Sequence, residues 1–363
     1  MLVLVIMFCS ITQEVHSATL PSDQYMPNTT QRDDKLLSPF TLIRFANSEC
    51  NQDDYTGTCY TKWDCFTGFA GEKQVSANDV CSGGFGRCCV AKLGCGATSN
   101  KNNTWLMSPD FGESFNYGLD CVQTIIIDSS ICQLRLEIKD LSLYYPNVRG
   151  ICDYDHLTVN HDNKFKYLCG ITKDNHFYLD VDAATNTKVD FTFHTDGGKS
   201  LDRSWAIRVQ KIQCHSPEEA PRGCGQYYMG TTGHLKAINI NAPDAHNYIL
   251  DGMNYAACVR MELGYCSNTY TENKQGSDGW LPLCGDIFER PGRPDGIPVA
   301  TALLKCMTSN GITNYPESYT ISYLTPHLFM LDTTQSSTNS HQNGLSTNNK
   351  GVYDITYSQT KCT

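Results

Sequence analysis

Cysteine constrains this chain more than any other residue: it occurs 19 times in 363 positions, and all but Cys9 follow an apolar N-terminus. The other 18 divide into three groups of six: 50, 59, 65, 81, 88 and 89, then 95 to 214, then 224 to 362. Even counts within short stretches read as disulfide frameworks formed in an oxidising compartment. Zinc is the competing reading, but no CxxC pair occurs and the secretory context favours bridges. Six cysteines allow on the order of 15 pairings, so spacing leaves the connectivity open. Neighbouring residues on a strand face opposite ways, so Cys88 and Cys89 are expected to bridge to different parts of their module.

The flanking sequence agrees with export. Leu2 to Phe8 (LVLVIMF) is apolar but too short to span a bilayer, and small residues follow at Ser17 and Ala18. Residues 1–18 therefore read as a signal peptide, although the run lacks a preceding Lys or Arg. No later segment is apolar enough to cross a membrane. The formal net charge of −10 argues against nucleic acid, whose phosphates need clustered Lys and Arg. Two N-x-[ST] sequons, at Asn28 and Asn102, become glycosylation candidates once the chain is secreted.

Residues 19–38 are polar and aperiodic and read as a flexible spacer. Residues 39–90 form a Gly-rich six-cysteine module, too small for a core without staples. Beyond Cys95 short alternating segments take over. KVDFTFH puts Val189, Phe191 and Phe193 on one face, and Trp205, Ile207 and Val209 alternate likewise. Sustained helical periodicity is missing, so the expected class is all-β, with sandwiches. HSPEEAPR at 215–222 reads as a polar linker. The two flanking blocks, 95–214 and 223–363, repeat one layout. Cysteine gaps run 26, 11, 20, 17 and 45 in the first and 34, 8, 18, 22 and 56 in the second. Their ends match too, IRVQKIQC against ITYSQTKC, as an internal duplication would produce.

CG at 95–96, SPDF at 108–111, CDYDHLTV at 152–159, LCG at 168–170 and FHTD at 193–196 stand in the order of a CUB domain, which residues 95–214 resemble. The whole layout, from SPFTLIRFANSEC through GFGRCCV to GCGQYYMGTTG, resembles secreted arthropod CUB-domain proteins. In these a clip-like cysteine module precedes two CUB-like jelly-roll sandwiches. The resemblance implies the pairs Cys95–Cys121, Cys152–Cys169 and Cys132–Cys214. By the repeat it implies Cys224–Cys258, Cys284–Cys306 and Cys266–Cys362. Clip-type pairing implies Cys50–Cys88, Cys59–Cys81 and Cys65–Cys89.

The resemblance also raises calcium, which many CUB domains hold between loops at one end. Asp155 and Asp196 match two of the family's carboxylates. The family's Glu has no counterpart: YYPNVRGI, between Leu143 and Cys152, contains no acid, leaving Asn147 as a neutral oxygen and Asp140 further back. A hard cation needs several oxygens, and a missing carboxylate weakens it. The bland alternative makes Asp155 and Asp196 loop-end residues bonded to backbone amides. In the second block Asp286 lacks the preceding Tyr.

Catalysis finds no support. GDSGG-like and HExxH motifs are absent, and His156 and His161, five apart, do not have metal-ligand spacing. DGGKS at 196–200 has Phe193 where a phosphate loop needs its first Gly, so Gly197 and Gly198 read as a hairpin turn. Tyr144, Tyr145, Tyr227 and Tyr228 are candidates for a binding surface or equally for core. By resemblance the function is that of a secreted, non-catalytic protein that binds an extracellular protein ligand through tandem CUB domains, with calcium as the one cofactor to test. An adaptor or regulator of an extracellular protease cascade is the specific expectation. A carbohydrate- or matrix-binding structural protein is the alternative.

Overall fold

Alternating apolar and polar residues become paired strands along the whole described chain. In the computed structural model the described residues are 46–160, 164–185, 187–248, 250–272, 318–321, 327–332 and 354–363. The expected signal peptide and spacer, Asn28, Asp286 and the expected Cys284–Cys306 pair lie outside them.

The cysteine module contributes β1 (Glu49–Gln52), β2 (Tyr55–Tyr60), β3 (Phe69–Ala70), β4 (Lys73–Ser76), β5 (Val80–Cys81) and β6 (Gly86–Leu93). Three bridges, Cys50–Cys88, Cys59–Cys81 and Cys65–Cys89, tie it together with Cα separations of 5.7, 6.1 and 5.5 Å. Cys88 and Cys89, adjacent on β6, thus reach different parts of the module. The first sandwich contributes β7 (Thr98–Ser99), β8 (Thr104–Met107), β9 (Leu119–Ile126), β10 (Ile131–Ser142), β11 (His156–Val159), β12 (Ile171–Asp180), β13 (Lys188–Thr195) and β14 (Ser204–Gln213).

Module and sandwich share both sheets. β6 pairs with β2 through Arg87–Cys89 and runs on, parallel to β8, through Ala91–Leu93. One sheet is therefore ordered β1-β2-β6-β8-β14-β10-β12. The opposing sheet is ordered β11-β13-β9-β7-β3, its last strand again from the module. Between them the odd-numbered residues of β14 (Trp205, Ile207, Val209) meet Val189, Phe191 and Phe193 of β13, all fully or almost fully buried. Trp205 stacks on Phe193 with ring centroids 4.1 Å apart, and Phe115 meets it edge-on. One amide is buried among them. Gln123 donates to Leu93 O and Met107 O and accepts from Trp205 Nε1, so no polar atom of its side chain lacks a partner.

The second sandwich contributes β15 (Cys224–Tyr228), β16 (Thr232–Lys236), β17 (Asn254–Val259), β18 (Tyr265–Glu272), β19 (Ser318–Ile321), β20 (His327–Asp332) and β21 (Asp354–Lys361). Its sheets are ordered β15-β17-β20 and β16-β21-β18-β19. It packs directly on the first. Phe177 of β12 meets Phe165 and Tyr255 edge-on at 5.2 and 4.9 Å. Gly225 is small because it must be: a Cβ there would lie 2.6 Å from the Tyr255 ring and 2.7 Å from Phe177. Residues 215–222 are stitched down rather than free, with Ala220 buried and exchanging two hydrogen bonds with the side chain of Gln133.

Buried Asn239 and half-buried His176 finish this interface. Asn239, in the left-handed region at φ 69°, accepts from Ile171 N and donates to His246 O and Tyr248 O. His176 accepts from Tyr227 N at 3.0 Å. Burial, and then the nearby Arg135 charge, push the His176 imidazole down to about 3.

Candidate functional site

The loops at one end of the first sandwich meet around one buried carboxylate. Asp155 stands just before β11, where the Cys152–Cys169 bridge holds the chain. It is fully buried and accepts four hydrogen bonds. Its Oδ2 takes Tyr144 N at 2.7 Å and Arg203 Nε at 2.6 Å. Its Oδ1 takes Asp196 N at 2.9 Å and an Arg203 terminal nitrogen at 3.2 Å. The carboxylate therefore has a donor for each of its lone pairs.

Arg203 is as completely occupied. Its backbone bridges Phe115, which fixes its place ahead of β14, and its side chain is fully buried. Besides the two bonds to Asp155, the guanidinium donates to Lys199 O at 3.2 Å, Leu201 O at 3.0 Å and Asp196 O. All five of its N–H donors are thus used. A planar, permanent cation with a rigid fork can do this; a Lys ammonium, with three donors, could not. The result is a cation built into the chain that ties Asp155 to the turn between β13 and β14.

In this geometry the oxygens expected to hold calcium are already engaged. A calcium ion needs six to eight oxygens at about 2.3–2.6 Å. The Asp155 oxygens here already face a guanidinium and two amides. Asp196 uses Oδ1 to accept from Gly198 N at 2.7 Å, closing its own turn. Asn147 spends Oδ1 on Arg149 N and Ile151 N, and Asp140 accepts from Ser204 Oγ. Among the described residues no group of three or more His, Cys, Asp and Glu side chains could hold a metal ion. The residues present do not fit the ion.

No sequence motif singles out Arg203, yet it leaves a signal. It shares the parity of Trp205, Ile207 and Val209, so alternation assigns it to the inward face. A charge on that face needs a buried partner.

Above this anchor sits a half-buried aromatic surface. Tyr144 meets Tyr154 edge-on at 5.5 Å, and the Lys199 ammonium lies 3.9 Å from the Tyr154 ring centre. A hydrogen bond with the Tyr154 hydroxyl raises the Lys199 pKa, keeping it cationic. Tyr145 stacks flat on His246 of the second sandwich, centroids 4.2 Å apart, so the surface crosses the junction between domains. Beside it the Gly197–Asp202 turn and Asn116 line a depression of about 550 Å³. By contrast Tyr227 is buried and Tyr228 is half-buried against the core, and neither joins this surface.

The remaining expected site residues are placed as follows. Cys95–Cys121, Cys132–Cys214, Cys224–Cys258 and Cys266–Cys362 are bridged. Asn102 occupies the turn before β8, with Oδ1 accepting from Asn103 N and Lys211 N.

Residues 95–208 match the family model of the CUB domain, and residues 221–283 match that of the animal CUB domain. No curated protein matches. Among solved structures, the CUB1-EGF-CUB2 domains of rat MASP-1 are 11% identical, covering 74% of this chain and 99% of that one at a TM-score of 0.26. The same region of human MASP-1/3 is 12% identical, covering 70% and 98% at 0.24. The full extracellular region of zebrafish Gpr126/Adgrg6 is 9% identical, covering 74% and 33% at 0.26.

Proposed function

We propose that this chain, which carries two CUB domains, is a secreted, non-catalytic protein that binds an extracellular protein through the loop end of its first sandwich, without calcium. CUB domains are extracellular interaction modules, and eight bridges suit an oxidising compartment. The observation that carries the reading is the Tyr144–Tyr145–Tyr154–Lys199 surface, set on a rigid Arg203–Asp155 anchor and continued by His246. Half-buried Tyr offers contact area at low entropy cost, and an anchored loop need not be ordered again on binding.

The two sandwiches act here as one body, since the buried Phe165–Phe177–Tyr255 contact joins them. An adaptor or regulator of an extracellular protease cascade suits such a scaffold. The test is capture from the extracellular fluid of the source on immobilised protein, in calcium and again in chelator. The same partner should be retained in both, and Tyr154→Ala with Lys199→Ala should release it. Capture that needs calcium would remove the metal-free reading. Capture unaffected by the two substitutions would move the site elsewhere. Retention on glycan or matrix columns in place of a protein would select the structural alternative.

A further inference from the structure

The outward face of the β11-β13-β9 sheet carries a row that the function above does not use. Register places Asp120 of β9 opposite His194 of β13, and His194 opposite His156 of β11. Tyr167 completes the row, its ring 4.5 Å from His156. The inward neighbours, Cys121, Phe193 and Leu157, belong to the core, so the row stands on the solvent side. His194 and Asp120 are exposed there, by 42% and 78% of their side chains.

Three observations make the pair more than neighbours. The imidazole centroids of His156 and His194 are 5.1 Å apart. Two imidazoles bound to one metal at about 2.0–2.1 Å with a tetrahedral angle have centroids about 5 Å apart. His194 Nδ1 bonds to Asp120 Oδ1 at 2.6 Å. A carboxylate there fixes the tautomer and leaves the Nε2 lone pair free for a metal, as the outer carboxylate of histidine–zinc sites does. His156 Nδ1, in turn, is a buried polar atom without a hydrogen-bond partner. Such an atom in a native fold calls for a reason.

We infer that His156 and His194 form a two-imidazole chelate for a first-row transition-metal ion of the zinc or copper class, with Asp120 as the positioning carboxylate. Imidazole suits these ions, whereas calcium prefers oxygens. Two protein ligands leave positions for water or a partner's side chain. The inference does not depend on the binding surface proposed above: the row lies on the sheet face, and the metal can be titrated without any partner.

The experiment uses the secreted full chain, stripped of metal. Zn²⁺ is titrated in competition with a chromophoric chelator, and Cu²⁺ is bound for electron paramagnetic resonance. A single saturable site with two coordinated nitrogens is expected. His156→Ala or His194→Ala should each weaken it about tenfold or more, and Asp120→Asn about tenfold because the carboxylate that orients His194 is lost. His194→Asn, similar in size, separates loss of the ligand from loss of packing, and the metal-free melting temperature reports folding. His215→Ala should change nothing. An unchanged site in the His156→Ala/His194→Ala double variant would place the ion elsewhere and overturn the inference. No saturable binding by wild type at sub-millimolar Zn²⁺ would do the same.

Discussion

Replacing Arg203 with Leu tests the anchor most directly. The side chain is fully buried and gives two hydrogen bonds to Asp155 and three to backbone carbonyls. Leu fills much of the volume but strands the Asp155 charge with only the Tyr144 and Asp196 amides for company. Breaking a buried ion pair from one side costs about 3–5 kcal/mol, mostly the penalty of the charge left behind. For a unit of roughly 150–250 residues that is a fall of about 6–20 °C in melting temperature. Arg203→Lys keeps the charge but has too few donors, and should cost about 1–3 kcal/mol for the carbonyls it abandons. Adding Asp155→Leu to Arg203→Leu should cost less than the two single changes summed, because no uncompensated charge remains. The assay is thermal unfolding of the four proteins with disulfides intact, each in calcium and in chelator. The anchor fails if Arg203→Leu costs under about 1 kcal/mol, within the range of exposed pairs. It fails equally if calcium raises the wild-type midpoint, since an ion would then be using the oxygens assigned here to the guanidinium.

The domain junction should be acid-sensitive. The folded His176 pKa, pushed to about 3, lies below the unfolded value, so its contribution is intact above pH 6.5 and fades as pH falls toward 3. At pH 5 the loss from this residue is about 2 kcal/mol, and His176→Gln should flatten that part of the stability–pH curve measured in urea. Gly225→Ala, whose Cβ would collide with Tyr255 and Phe177, should destabilise by about 1–3 kcal/mol, read from urea midpoints. Peptide mapping without reduction should return the eight bridges of the structure, with Cys284 and Cys306 left to pair with each other. Links between module and sandwich cysteines would refute that framework.

Much of the architecture could be read locally. Period-two alternation in KVDFTFH and SWAIRVQ announces strands and names their buried faces, since it follows from the pleat and needs no partner. The ordered motifs from CG at 95–96 to FHTD at 193–196 point to a CUB domain, and residues 95–208 match that family's model. Asp155 is placed at the loop end by its own segment. What occupies it is another matter. Arg203 lies 48 positions away, and only the packing of two sheets brings the fork onto the carboxylate.

Long-range register decided the rest. His156 has a sequence neighbour at His161, but its structural neighbour is His194, because β11 and β13 pair antiparallel. The six-cysteine module looks self-contained in composition. Its β6 nevertheless outruns the last cysteine and enters the sandwich sheet, and β3 joins the other. Composition and alternation report which side of a strand meets solvent. They cannot report which strand lies alongside, because that depends on closing loops of tens of residues and on the shapes that then fit.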